Sequence, residues 1–167
     1  VVNSHASAPG ATLGEKESAT GTLVSPNFIL TRGYIHWLQG GGSTAAETRV
    51  RLLRASDGTE LRSQAGDDDN AMTWRTWDVR EFRGETVRIS IEDLRAAGWA
   101  NIGVDQIVLS TNPDAPNVSG GVDTAIDQGT IGIAELGAVA GQVSATGDLA
   151  PAFQWLPGTP HGSGAIG

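Results

Sequence analysis

The fold of this chain is decided by the stretch Thr86-Val87-Arg88-Ile89-Ser90-Ile91. Within it, Val87, Ile89 and Ile91 alternate with a threonine, an arginine and Ser90. Successive side chains of a β-strand point to opposite faces, so a period of two is typical of a half-buried strand. The stretch therefore predicts an amphipathic strand whose branched apolar residues share one face and whose polar residues face out.

Further short strands are predicted on both sides of this stretch, with turn signals between them. These segments are 22–25 and 28–30, which flank the break Pro26-Asn27, then 34–38, 48–52, 60–63, 72–79 and 104–109. Asp57-Gly58 favours a tight hairpin turn, because both residue types tolerate the positive φ that such a turn needs. Residues 94–98 predict one helical turn. Many short strands joined by such turns are typical of an all-β sandwich or barrel.

The chain changes in character near residue 112, where Asn112-Pro113-Asp114 begins a cluster of turn formers. Its 167 residues suit one domain and suffice to bury a core without cross-links. We therefore expect a β-sandwich over 1–111, followed by a Gly/Ala-rich linker or extension over 112–167. Within this extension, 130–133 and 153–155 are predicted as short strands.

The composition disfavours several classes of function. The formal net charge is −8, whereas nucleic-acid binding needs a basic stripe that replaces phosphate counterions. An anionic membrane surface is disfavoured for the same reason, and no apolar run approaches the roughly 20 residues that span a bilayer. The chain contains no cysteine, which excludes disulfides, thiolate metal sites and cysteine nucleophiles. Neutral polyols such as sugars are compatible partners.

Recognised catalytic motifs are missing from the sequence. The three histidines His5, His36 and His161 are far apart, and neither HExxH nor GxSxG occurs. His36 lies within a predicted strand, which favours a packed or edge residue over a catalytic base. Glu92 and Asp93 would point to opposite faces of a strand, whereas glycoside hydrolysis needs two carboxylates that flank one scissile bond. We therefore expect this chain to bind rather than to cleave, with no catalytic residue of its own.

An ordered series of motifs resembles a module of multidomain bacterial proteins, notably one found alongside fructan-degrading glycoside hydrolases of the levanase and invertase group. The matching stretches are 21–28, 34–42, 77–79, 82–84, 89–93, 98–102 and 104–107. They extend over residues 2–110 and are similar to the family pattern of SP-x-F, GGG, WDV and GWGHI-x-VD-x-I. The resemblance implies a galactose-binding-like jelly roll, a fold often used to hold sugars.

The chain departs from the family pattern in two places. Ala100-Asn101 replaces the family's Gly-His, although asparagine can still donate and accept hydrogen bonds. In addition, Val1-Val2-Asn3-Ser4-His5 resembles the middle of such a module, whose opening strand would lie upstream. Since Met72 is the only methionine, we expect the start to be a processed or excised end. Residues 152–156 alternate suitably and could close the open edge.

A sugar site needs an aromatic face for the C–H surface and polar groups for the hydroxyls. Trp99 lies in a predicted loop, with Asn101 two residues on and Asp93 and Asp105 nearby in sequence. We therefore predict that these four residues bind a ligand. The alternative is that Trp99 plugs one end of the sandwich and Asp105 ties loop amides.

A second aromatic platform is predicted on the strand that contains Trp74 and Trp77. The two indoles have opposite strand parity, so one is expected in the core and the other nearer to solvent. The more exposed one would offer the platform, and Trp77 is taken as the second candidate for ligand binding.

Two further motifs favour structural interpretations. Gly40-Gly41-Gly42 could let a ligand approach the backbone, because glycine has no Cβ, but a tight connection with positive φ is favoured. Asp67-Asp68-Asp69-Asn70 offers oxygens to calcium, yet it lacks the Gly and the distal Glu of an EF-hand loop, which favours a solvated turn. Jelly rolls of the resembled class often hold a structural calcium, so a calcium site built from other loops stays open. No other cofactor is predicted.

The expected function is that of a non-catalytic carbohydrate-binding or accessory module of a secreted glycoside hydrolase. Its partners would be a polysaccharide or oligosaccharide, with fructan (levan or inulin) as the first candidate, and a catalytic domain or subunit. One alternative is a structural domain that docks on a catalytic domain or partner subunit, which predicts an exposed apolar patch. A lesser alternative is a fragment of a glycoside hydrolase.

Overall fold

The chain forms two antiparallel β-sheets in a computed structural model that describes residues 2–4, 8–116 and 144–147. In chain order the strands are β1 Val2–Asn3, β2 Gly21–Val24, β3 Phe28–Ile29, β4 Tyr34–Gly41, β5 Thr48–Arg54, β6 Glu60–Ala65, β7 Asp69–Asp78, β8 Thr86–Asp93, β9 Ile102–Ser110 and β10 Ser144–Gly147. Helix α1 is Leu13–Lys16, and a 3-10 turn covers Arg80–Phe82. The predicted all-β class is confirmed, while the jelly-roll connectivity stays a prediction.

The sheets differ in size and in strand order. The front sheet has the order β1-β9-β4-β7, and the back sheet has the order β10-β2-β8-β5-β6. Strand β3 also pairs with β8, on the edge of β8 that β2 occupies. No helix in the part of the chain with described coordinates is long and apolar enough to cross a membrane.

The apolar core lies between the two sheets. Val87, Ile89 and Ile91 of β8 are at most 2% exposed and belong to one core cluster, as the alternation predicts. From the front sheet, Trp37 is 1% exposed and joins the same cluster. Burial of each such side chain contributes about 1.5–3 kcal/mol to folding, so the core accounts for the pairing of the sheets.

The predicted break at Pro26-Asn27 is confirmed, and Ser25 explains how the back sheet tolerates it. The Ser25 amide donates to the Ile89 carbonyl at 2.9 Å, and the Ile89 amide donates to Ser25 Oγ at 2.9 Å. Pro26 has no N–H and interrupts the ladder. Next to this break, the serine hydroxyl accepts a hydrogen bond that a main-chain carbonyl would accept in a regular ladder.

The outer face of the back sheet carries a closed set of four charged side chains. Glu92 accepts from Arg49 Nε at 3.0 Å and from Arg51 Nη1 at 2.9 Å. Glu60 accepts from Arg51 Nε at 2.7 Å and lies 3.6 Å from Arg49 Nη1. Ser90 donates to Glu92 Oε1 at 3.1 Å and is only 1% exposed. Ser90 therefore faces out, as the alternation predicts, and the charged set covers it.

Two local predictions need correction or extension. The helical turn predicted at 94–98 does not form, since the Leu94 amide donates to the Glu47 carbonyl and Arg95 Nε donates to the Gly98 carbonyl. Helix α1 was missed, although Thr12 and Glu15 form a capping box that the T-x-x-E spacing signals.

The extension contributes one described strand to the sandwich. Strand β10 pairs with β2 and so covers the edge of the back sheet. The predicted strands at 130–133 and 153–155, and the edge closure by 152–156, lie outside the described residues. The division of the chain near residue 112 stays a prediction.

Candidate functional site

Three loops meet at the end of the sandwich where β4, β6 and β8 finish. We call this surface the rim and define it as residues 42–47, 66–68 and 94–101. Main-chain hydrogen bonds join its loops: the Gly42 amide donates to the Asn101 carbonyl at 2.9 Å, and the Gly66 amide donates to the Gly42 carbonyl at 2.9 Å. The rim is therefore a connected surface and not a set of independent loops.

Trp99 presents its indole at the rim. The side chain and backbone together are 42% exposed, so this tryptophan does not plug the sandwich as the alternative interpretation required. Its φ of +62° lies in the left-handed region, which costs a residue with a Cβ about 1–2 kcal/mol. The Trp99 amide donates to Glu17 Oε1 at 3.3 Å, beside the end of α1. Surrounding contacts thus hold an exposed indole in a strained backbone conformation, which is a feature of many functional sites.

The glycine segment explains how the rim loops approach each other. At Gly41, φ is +112°, and an added Cβ would lie 2.2 Å from the Asn101 carbonyl oxygen. At Gly42, an added Cβ would lie 2.1 Å from the Trp99 carbonyl oxygen. Any side chain at either position would therefore displace the Trp99 loop. The favoured interpretation, a tight connection with positive φ, is confirmed at Gly41.

Asn101 forms an amide pair with Asn70. Its Nδ2 donates to Asn70 Oδ1 at 2.7 Å. Asn101 immediately precedes β9 and Asn70 is the second residue of β7, yet β4 lies between these strands in the front sheet. The amides therefore meet over the end of β4, where Gly40 and Gly41 place no side chain between them.

The acidic turn is engaged by protein donors. Asp68 accepts from the Ser43 amide at 2.7 Å and from Ser43 Oγ at 2.8 Å. Asp67 forms an ion pair with Arg75, and Asp69 Oδ1 accepts from the Ala71 amide at 2.9 Å. Over residues 2–4 and 8–116, no three His, Cys, Asp or Glu side chains are grouped to hold a metal ion.

Two predicted ligand-binding residues lie in the interior. Trp77 is 5% exposed and packs against Trp37 with ring centroids 4.3 Å apart. Asp93 is 1% exposed and pairs in register with Gly21 and Thr48 on the two neighbouring strands. Trp77 pairs with the buried Ile35 and faces inward as Ile35 does, and Asp93 is on the same face of β8 as the buried Ile91. A surface ligand therefore cannot reach either side chain. The burial of Trp77 and Asp93 therefore argues against their predicted roles in ligand binding.

Asp105 lies away from the rim, on the outer face of the front sheet. It pairs in register with Leu38 of β4, and Leu38 in turn pairs with Trp74 of β7. Its Oδ1 accepts from the Gln106 amide at 2.8 Å, within a bulge of β9. Four residues of strand separate Asp105 from Asn101, which is about 13 Å. Of the predicted residues, Trp99 and Asn101 therefore share one rim loop, while Asp105 lies in the same cross-strand row as Trp74.

Trp74 is the more accessible indole of the β7 pair. It is half-buried, and its parity places it on the outer face of the front sheet with Leu38 and Asp105. Sequence alternation separated Trp74 from Trp77 but did not indicate which of them faced the core. The cross-strand register, which a single strand pattern cannot supply, settles that choice.

His36 is a packed residue on this same face. It is fully buried, its Nε2 lies 3.0 Å from the Asn112 carbonyl, and its Nδ1 lies 2.9 Å from Thr76 Oγ1. Because a carbonyl only accepts, Nε2 carries the proton, and the neutral ring accepts from the threonine hydroxyl at Nδ1. Burial lowers the pKa of His36 below its usual 6.5, against the opposing effects of Asn112 and Asp114.

Comparison with known proteins gives one relative and no family. No family model matches the chain. A putative glycosyl hydrolase, ecdE, of Aspergillus rugulosus is 33% identical over 111 residues, which are 66% of this chain and 16% of that protein. The chain thus spans a small part of the curated relative that it matches. It is a β-sandwich related to one segment of a larger protein that bears a glycosyl hydrolase name.

Proposed function

We propose that this chain is a non-catalytic carbohydrate-binding module of a secreted glycoside hydrolase polypeptide. The observation that carries the proposal is the exposed indole of Trp99, which has a strained backbone and lies in the same loop as Asn101, the partner of Asn70 in the amide pair. An indole face suits the C–H surface of a sugar ring, and neighbouring amides suit its hydroxyls. The relative's name supports a glycoside hydrolase setting.

The amide pair has hydrogen-bonding capacity beyond its own contact. Asn101 uses one of two Nδ2 hydrogens on Asn70 Oδ1, and each amide has one further polar atom. A hydroxyl both donates and accepts, so it can bond to a donor and an acceptor of the pair at once. We infer that the pair orients a sugar whose ring stacks on Trp99.

The charged groups of the described residues support binding more than cleavage. Glu92 is held by Arg49 and Arg51 on the outer face of the back sheet, whereas Asp93 points into the core. Two carboxylates on opposite faces of one strand cannot flank one scissile bond. A rim that desolvates few groups should bind weakly, with Kd in the range of roughly micromolar to millimolar.

Affinity electrophoresis through gels that contain levan, inulin or xylan tests this proposal. Levan or inulin should retard the wild-type chain, and Trp99→Gly should abolish the retardation while leaving the fold intact. Ile29→Ala is the matched control, because Ile29 is 59% exposed on β3, far from the rim. Retardation of Trp99→Gly equal to that of the wild type would refute the rim assignment, and retardation by xylan alone would refute the fructan assignment.

One observation favours docking on a catalytic domain as a second candidate function. Leu94, in the Trp99 loop, is 47% exposed, and Leu13, one helical turn before Glu17, is 62% exposed. Together with Trp99 they could cover an apolar partner surface. In that case Leu13→Ser and Leu94→Ser would release a catalytic domain supplied in trans, and no polysaccharide would retard the free module.

A further inference from the structure

We propose that the ligand path continues from Trp99 over the outer face of the front sheet to Trp74, so that the module binds a chain of several sugar units rather than a single terminal sugar. This inference rests on the proposed function and deepens it. It assigns Trp74 as a second stacking platform, with Thr76 as a hydroxyl contact beside it.

The register of the front sheet places the second platform. Trp74 pairs with Leu38, and Leu38 pairs with Asp105, so the three form one row across β7, β4 and β9. Thr76 lies two residues from Trp74 on the same face, is exposed, and contacts His36 Nδ1 through its hydroxyl at 2.9 Å. The half-buried Trp74 indole therefore lies on the same face as the polar side chains of Asp105 and Thr76.

Between this row and the rim, the outer face of the front sheet is formed by glycines of the two central strands. Gly40 pairs with Gly103 in the next row, so neither central strand raises a side chain there. Met72 fills the shallow space over Gly103, with its Sδ 3.1 Å from the position of an added Cβ. Beyond the glycines lies the amide pair of Asn70 and Asn101, and Asn101 is two residues from Trp99 in the rim. Among the described residues, the row of Trp74, the glycines and the amide pair thus follow one another along the outer face toward the rim.

The length of the path indicates a chain as the ligand. Trp74 shares its row with Asp105, and four residues of β9 separate Asp105 from Asn101, which is about 13 Å along an extended strand. Trp99 lies two residues before Asn101, in the same rim loop. This span exceeds one sugar ring, so a single ring cannot contact both indoles.

The charges of the face favour a neutral polysaccharide over an anionic one. Asp105 and Asp78 lie on this face, and Arg80, at its far end, is paired with Asp78 and stacked over Tyr34. No arginine or lysine of β7, β4 or β9 shares the outward parity of Trp74. The chain's net charge of −8 adds to the repulsion of a polyanion.

The apolar part of the face is too small to favour a protein partner. Leu38, Met72 and Trp74 are all half-buried, and the four large apolar side chains that are exposed among the described residues lie elsewhere. Protein interfaces usually need a broad apolar centre, whereas a sugar chain needs isolated aromatic faces with polar neighbours.

The experiment is a titration of the wild type, Trp74→Thr and Trp99→Gly with neutral oligosaccharides from disaccharide to hexasaccharide, chosen from the polysaccharide that retards the module. Threonine is used because it suits an edge strand, so Trp74→Thr should fold, and its melting curve checks this. Ile29→Ala serves as the control.

The wild-type affinity should rise with oligosaccharide length. Trp74→Thr should lose about tenfold in affinity for the hexasaccharide while it binds the disaccharide as the wild type does. If affinity is independent of length, or Trp74→Thr binds every length normally, the path is refuted while the rim site stands. If the wild type binds no saccharide, the proposed function falls and the path falls with it.

Discussion

Asn101 Nδ2 donates to Asn70 Oδ1 at 2.7 Å although β4 lies between β9, which Asn101 precedes, and β7, which contains Asn70. The contact links the Trp99 loop to the edge strand β7. Removing both amides should therefore cost less than the sum of the two single losses. A double-mutant cycle of Asn70→Ala and Asn101→Ala in urea unfolding should give a coupling of about 1 kcal/mol. The pair Asn101→Ala and Ile29→Ala should give no coupling; equal values for the two cycles would contradict a specific contact.

The strained backbone of Trp99 makes a second prediction. Glycine adopts a φ of +62° without the Cβ penalty, so Trp99→Gly should be as stable as the wild type or up to about 1 kcal/mol more stable. Trp99→Ala keeps the penalty and should be less stable than Trp99→Gly. Thermal and urea unfolding of both variants measure this difference. A large loss of stability in Trp99→Gly alone would show that the indole is needed for folding.

Glu92 should be the critical member of the charged set on the back sheet. Its side chain is 7% exposed, so Glu92→Gln would leave Arg49 and Arg51 without their shared counter-charge, at a cost of about 3 kcal/mol. Glu60→Gln is the matched control, because its side chain is 38% exposed and its loss should cost less than about 1 kcal/mol. Equal costs in urea unfolding would contradict this difference.

The same carboxylate predicts a response to acid. Burial alone would raise the pKa of Glu92, but hydrogen bonds from Arg51 and Arg49 outweigh it and hold the pKa below 4.5. A carboxylate with a lowered pKa contributes its full stability above pH 4.5 and loses that contribution as the pH falls through the folded-state pKa. The wild type should therefore lose more stability than Glu92→Gln between pH 5 and acid unfolding. Parallel curves would contradict the prediction.

His36 should make the free energy of unfolding depend on pH in a higher pH range than Glu92 does. Burial lowers its pKa, so below pH 6.5 the unfolded chain binds a proton that the folded chain resists. Its contribution to stability is present above pH 6.5 and is lost as the pH falls from there toward the lowered pKa. Urea unfolding should therefore show lower stability at about pH 5.5 than at about pH 7.5. A His36 pKa at or above 6.5 by NMR titration would be the contrary result.

Much of the fold could be predicted from local patterns. The period of two in β8 identified its inward residues Val87, Ile89 and Ile91, and Pro26 marked the break between β2 and β3. These features depend on neighbours in sequence. The same period placed Ser90 on the outer face, but its burial there could not be predicted in this way, because Arg49 and Arg51 of β5 take part in covering it.

The candidate site could be predicted only in part for the same reason. Trp99 and Asn101 were identified because a loop indole beside an amide is a local signal. The burial of Asp93 and Trp77, and the unforeseen contact between Asn101 and Asn70, have one cause. Each depends on which face of a strand meets the other sheet or which strands become neighbours, and strand pairing sets both.

The central claim is that the exposed Trp99 indole binds a neutral polysaccharide. Isothermal titration of the wild type and Trp99→Gly with levan or inulin, whichever retards the module more, tests it most directly. We predict saturable binding with a Kd in the range of roughly micromolar to millimolar for the wild type, and no detectable heat for Trp99→Gly at an unchanged melting temperature. Binding of equal affinity in both proteins, or in neither, would contradict the claim.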